Sequence, residues 1–166
     1  MPRPPTIPLE WLEPLPVVYR TVIPPEYRDA MDHMNVRWYL ALYDEAGDEM
    51  YKLYGQTAEY YRAHDAGGFD LEHHIRYLAE VRIGDTVAVR ARLLRRTEKR
   101  LHYMMFMVNE TRGVLSSTFE CINSHADLKQ RRTAPYPDFI AAQIDAIIAQ
   151  HSQLEWDAPV CGAMGA

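Results

Sequence analysis

VRWYLALYDEAGDEMYKLYG, residues 36–55, decides how the rest of the chain is read. Tyr39, Leu42, Tyr43, Ala46, Met50, Leu53 and Tyr54 recur at helical spacing and form one apolar stripe. Arg37, Asp44, Glu45, Asp48 and Lys52 fill the opposite side. Asn35 supplies an N-cap and Gly55 a left-handed stop, so the spacing predicts a long helix over 36–54, buried along one face. Gly47 in its middle costs about 1 kcal/mol relative to alanine, which suits a helix that something approaches closely.

The flanking sequence predicts a sheet to cover that stripe. Before the helix, VVYRTVI (17–23) is β-branched and ends at Pro24-Pro25. After it, QTAEYYRAHDAGG (56–68) has fading helical character, and FDLEHHIRYLAEVR (69–82) alternates. Phe69, Leu71, His73, Ile75, Tyr77, Ala79 and Val81 share one side of that strand; Asp70, Glu72, His74, Arg76, Glu80 and Arg82 share the other. Three more strands follow at 86–95, 101–109 and 114–128, separated by the turns Gly84-Asp85, TEKR and ETRG, and a short amphipathic helix follows at 137–150. Turns this short force an antiparallel meander. The expected class is α+β, one long helix covered by one curved antiparallel sheet. The domain spans 17–150, with a proline-rich arm at 1–16, extended and packed through Trp11 and Leu12, and a flexible tail at 151–166.

Composition narrows the function classes. The chain has 166 residues, 48% hydrophobic and 25% charged, which fits one folded domain. A net charge of −5 argues against nucleic acid, although a local basic patch can still bind an anionic small molecule. Two cysteines, Cys121 and Cys161, imply no disulfide framework, and the proline-broken N-terminus reads as neither signal peptide nor membrane span. A cytoplasmic location is expected. The seven histidines show no metal-ligand spacing, so no metal is expected.

The chemistry concentrates at RDAMDHMN, 28–35, where the chain enters the helix. Helix-start N–H groups at residues 35–37 attract a developing oxyanion. Asp29 lies just upstream, with His33 and Asn35 beside it. A carbonyl polarised there sits within reach of a carboxylate that attacks or activates water, which suits acyl transfer. Capping alone explains Asp29 and Asn35 equally well, and local chemistry leaves both readings open.

The loop Asp29-Ala30-Met31-Asp32-His33-Met34-Asn35, followed by Tyr39, resembles the DxxGHxN signature of hotdog-fold acyl-CoA thioesterases similar to 4-hydroxybenzoyl-CoA thioesterase. HIRYLAEVRIGD (74–85) and KRLHYMM (99–105) resemble later strands of that family, so the likeness covers roughly 17–130. It implies hydrolysis of a small acyl-CoA, with Asp29 as nucleophile or general base, the Val36 amide polarising the carbonyl, and His33 and Asn35 orienting loop and thioester. No cofactor is implied beyond the coenzyme A of the substrate. A homodimer or dimer of dimers is implied, with Glu72 and His74 near a partner's loop. The family's usual glycine is Asp32 here, which tolerates left-handed backbone and adds a second carboxylate that can meet a cation. Arg95, Arg96, Lys99 and Arg100, or Arg131-Arg132, are candidates for the CoA phosphates. Trp38 falls off the main stripe, and with Tyr39 it offers aromatic surface to an acyl group. Some pieces also resemble thioesterase domains joined to carnitine dehydrogenases, which implies betainyl-CoA. Two other readings stay open: a hotdog dehydratase or hydratase, for which the Asp29–His33 spacing is one residue short, and a non-catalytic acyl-CoA-binding protein.

Overall fold

In the computed structural model, which describes residues 7–165, the helix expected at 36–54 is α1, Val36–Lys52. Around it in chain order lie β1 (Val17–Val22), α2 (Ala58–His64), β2 (Ala66–Tyr77), β3 (Thr86–Arg96), β4 (Arg100–Asn109), β5 (Val114–Asp127), β6 (Arg132–Thr133) and α3 (Asp138–His151). One sheet runs β1-β3-β4-β5-β2, with β6 paired to β5. Val17 pairs with Arg90 and Val22 with Thr86, so β1 and β3 are antiparallel. Three- and four-residue turns join β3 to β4 and β4 to β5, which fixes those pairs as antiparallel. Asp65 accepts from Leu128 where β2 begins, and Leu78 donates to Ser116 where it ends, so β2 also runs against β5. The chain divides into two compact units: 1–49 with 75–91 and 105–119, and 50–74 with 92–104 and 120–166.

In the first unit the helix stripe is core. Tyr39, Leu42, Tyr43 and Ala46 are buried, each large side chain contributing roughly 1.5–3 kcal/mol by leaving water. Tyr43 stacks on Phe119 at 4.8 Å, and its hydroxyl meets Ser117 Oγ at 2.6 Å. That partner allows a phenol to be buried, and burial drives the phenol's ionisation far above its ordinary range.

In the second unit Met50, Tyr54, Leu101, Tyr103, Ile140 and Ile144 are core. β1 stops pairing at Arg90, which leaves the following β3 backbone without a strand neighbour on that side. α3 supplies one: Leu93 N–H donates to His151 Nδ1 at 2.9 Å, and Arg92 reaches the carbonyls of His151 and Trp156. The Arg92 guanidinium also lies 4.2 Å from the Trp156 ring centre. An edge that would otherwise expose unpaired donors is thereby closed. The segment after α3 is held again at Cys161, whose N–H donates to Glu120 Oε2 at 2.7 Å.

Five expectations need correction. The helix stops at Lys52; Gly55 takes a φ of +89°, and Leu53 faces solvent. The strand expected to reach residue 82 ends at Tyr77, because Leu78 and Ala79 N–H both turn onto the single carbonyl of Ser116. Its apolar side is not the covered one: Phe69 and Leu71 are 64% and 41% exposed, while Asp70 points at Asn123 and Tyr51. Strict alternation also fails, since Asp70 and His73, three apart, share a 2.7 Å hydrogen bond. Residues 1–6 of the N-terminal arm lie outside the described residues; the rest is not extended but coils into a 3-10 turn at Leu9–Leu12, burying Leu12 and leaving Trp11 exposed.

Candidate active site

The loop before α1 is built around one carboxylate oxygen. Asp29 Oδ1 accepts from the N–H groups of Met31 and His33 at 2.8 and 3.1 Å. Those two donors, His33 first, hold the Asp29 carboxyl below the usual carboxylate range and keep it ionised. The backbone closes the same ring, with Asp29 N–H on the His33 carbonyl at 2.8 Å. Asp32 stands at the tip with φ +66°, the left-handed backbone for which a glycine is the usual choice. Its side chain turns outward to Arg28 at 2.7 Å. Met34 N–H then ties the loop to the Val81 carbonyl, and Asn35 N–H to that of Tyr27. Asn35 Oδ1 accepts from Arg37 N–H at 3.2 Å and caps α1.

This loop forms one wall of an open cleft of about 340 Å³. Asp29, His33, Met34 and Val36 line one side, Tyr77, Leu78, Ala79 and Glu80 the other, and Tyr39 the floor. Tyr39 meets Tyr77 edge-on at 5.0 Å. His33 Nε2 lies 2.5 Å from Glu80 Oε2, while Arg82 and Arg112 hold Glu80 Oε1 at 2.6 and 2.9 Å. Arg112, then Arg82, keeps the Glu80 carboxyl below its ordinary range against partial desolvation. Glu80 Oε2 accepts a hydrogen bond from His33 Nε2–H and fixes the ring. Asp85 braces this wall from behind by accepting from Arg82 N–H and Asn109 Nδ2. The cleft therefore gathers an ionised carboxylate, a carboxylate-held imidazole and a helix N-terminus with its positive end.

Asp29, His33, Val36 and Tyr39 meet at this cleft, and Asn35 shapes its rim. Asp32 faces Arg28 instead. Trp38 is engaged elsewhere, stacked flat on Tyr27 at 3.8 Å with Arg37 above it at 5.2 Å. Glu72, His74, Arg95, Arg96, Lys99 and Arg100 belong to the other unit and do not line the cleft. Arg96 is paired with Asp145 of α3. A second hollow, also about 340 Å³, lies within that unit between Phe69, Leu71 and Leu128 and the pair Arg131-Arg132. The sequence reading missed Glu80, Tyr77 and Ala79 as site residues. Glu80 had been assigned only to the polar side of a strand, and nothing local links it to His33.

Among the described residues no helix is long and apolar enough to cross a membrane. Comparison with known proteins gives three kinds of match. Residues 23–144 match the model of the thioesterase-like superfamily. The betainyl-CoA thioesterase of Pseudomonas aeruginosa is 29% identical over 136 residues, covering 82% of this chain and 86% of that one. The L-carnitine dehydrogenase/betainyl-CoA thioesterase of Rhizobium meliloti is 30% identical over 79% of this chain, which spans only 26% of that longer protein. Among solved structures, a hypothetical protein from Staphylococcus aureus in complex with CoA superposes with a TM-score of 0.81 at 21% identity, over 92% of this chain and 96% of that one. A 1,4-dihydroxy-2-naphthoyl-CoA thioesterase from Synechocystis gives 0.68 at 15%, over 78% and 95%. The fold is the hotdog fold.

Proposed function

Since the chain belongs to the thioesterase-like superfamily, we propose that it hydrolyses a small acyl-CoA to the free acid and coenzyme A at the cleft before α1. The observation that carries this reading is the meeting of Asp29, the His33–Glu80 pair and the start of α1 around one open cavity. The thioester carbonyl oxygen docks on the Val36 N–H at the start of α1, since the Asn35 and Arg37 N–H groups are taken by the Tyr27 carbonyl and Asn35 Oδ1. That donor and the helix dipole stabilise the charge that grows as the carbonyl becomes tetrahedral. Asp29 keeps Oδ1 in its turn, and Oδ2 attacks the carbonyl carbon or takes a proton from the attacking water. If Asp29 attacks, its C–O bond replaces the C–S bond, and water then cleaves the acyl–Asp29 anhydride to the free acid and the carboxylate. If Asp29 acts as base, the C–O bond of water replaces the C–S bond directly. In both cases coenzyme A leaves as the thiol after taking up a proton. His33, held by Glu80, and Asn35 fix the loop and the thioester.

For the acyl group, the two tyrosine rings and two carboxylates of the cleft suit a small quaternary ammonium. Four relatives carry betainyl-CoA thioesterase in their names, three of them joined to L-carnitine dehydrogenase, so betainyl-CoA is the first substrate to test. Arg131-Arg132, Arg95, Lys99 and Arg100 are the proposed phosphate contacts, and the enzyme acts as a homodimer or dimer of dimers.

Thiol release over a panel of acyl-CoAs, with betainyl-, acetyl- and benzoyl-CoA among them, tests the reading. The expected result is turnover of at least one small acyl-CoA with stoichiometric thiol. Loss of an enoyl-CoA absorbance without thiol marks a hydratase, and saturable binding without turnover marks a binding protein.

A further inference from the structure

The second unit carries a cluster that hydrolysis does not use. His74 of β2, Glu120 of β5 and Cys161 of the C-terminal segment bring an imidazole nitrogen, a carboxylate oxygen and a sulfur within 4.8 Å of one another. Glu120 is 1% exposed. A carboxylate so buried needs strong partners, and it has two: His102 Nε2 at 2.9 Å on Oε1 and the Cys161 N–H at 2.7 Å on Oε2. Each oxygen retains a second lone pair. Among the described residues the His74 ring has no hydrogen-bond partner, although a ring nitrogen lies within 4.8 Å of the other two donors.

We propose that His74, Glu120 and Cys161 bind a divalent transition-metal ion of the zinc class, which clasps the C-terminal segment onto the sheet. The donor set, one nitrogen, one oxygen and one sulfur, selects a borderline-soft ion and disfavours calcium and magnesium, which take oxygen. Tetrahedral bonds of about 2.0–2.3 Å require donors roughly 3.5 Å apart. The present separations, all within 4.8 Å, close to that by local adjustment of the three side chains, of which Cys161 is half-exposed. His102 holds the ligating carboxylate as metal sites commonly require. Binding releases the Cys161 thiol proton and leaves one ion position for water. The sequence reading expected no metal because these residues lie up to 87 positions apart and meet only in the fold.

A neighbouring trio, Asp70, His73 and Cys121, is spatially as close but chemically spent. Asp70 already holds His73 at 2.7 Å and Asn123 at 2.6 Å, and burial pushes the Cys121 thiol far up its scale, toward the protonated form that does not ligate.

The test is titration of the whole, chelator-stripped protein with cobalt(II), followed by zinc. The expected result is one equivalent per chain, a thiolate-to-cobalt charge-transfer band that zinc abolishes, and no band in Cys161→Ser. His102→Gln weakens cobalt affinity about 10–100-fold while keeping the band. Zinc also slows hydrogen exchange at the Cys161 amide in the wild type and not in Cys161→Ser. A missing band at stoichiometric cobalt, or one that survives in Cys161→Ser, overturns the site. Exchange that is unchanged by zinc overturns the clasp.

Discussion

At the scale of single residues, the proposed mechanism gives one side chain of the loop before α1 a structural and a chemical task together. Asp29 spends one oxygen on the turn and keeps the other for the cleft. Asp32 was legible in advance: standing where the DxxGHxN signature has glycine, it was expected to take left-handed backbone, and its φ is +66°. Glu80 was not legible, because its role depends on a contact across 47 residues with His33. As a positioning residue it carries a distinct prediction. Glu80→Gln weakens the hold on His33 and lowers kcat about 10-fold while KM and thermal stability stay near wild type, since a misoriented group costs the transition state rather than binding. Equal losses in kcat and stability would mark Glu80 as structural only, and steady-state kinetics beside a melting curve separates the two.

At the scale of elements, the long helix was readable because its signal is local: seven apolar residues at one spacing and a cap at each end. The covered face of β2 was not, since an edge strand takes its environment from whatever lies beyond the edge, and that is not written in its own alternation. The closing of β3 by α3 was equally non-local, and it makes stability pH-dependent. Burial, then Arg92, pushes His151 below the ordinary histidine range, and burial does the same to His125. The folded state therefore binds fewer protons than the unfolded chain once pH falls below the unfolded value of about 6.5. The stability these groups contribute is fully present above that pH and is lost as pH drops through it. Protonated His151 also cannot accept from Leu93 N–H. Melting temperature should fall from pH 7 to pH 5.5, and His151→Gln, which keeps an acceptor and cannot titrate, should flatten the slope. An identical slope in that variant would remove His151 from the account.

For the whole molecule, the sheet order among the described residues leaves β2 with one unpaired side. Twelve residues of open strand carrying exposed Phe69 and Leu71 are an aggregation hazard unless covered. In the proposed homodimer, a second copy related by a twofold axis would cover both at once. Light scattering at micromolar concentration should give at least the dimer mass, and Phe69→Glu with Leu71→Glu should lower it to that of one chain. A wild-type monomer would contradict the proposed assembly.

The most direct measurement is the turnover of Asp29→Asn on the best acyl-CoA of the panel. Asparagine keeps the Oδ1 acceptor, so the turn and the fold should persist with a stability change of about 1 kcal/mol or less. It removes the carboxylate that attacks or activates water, so kcat should fall about 100-fold or more with KM little changed. A variant that folds equally well and turns over as fast as wild type would contradict the account, and Asp29 would then be a turn residue whose only task is to shape the entrance of α1.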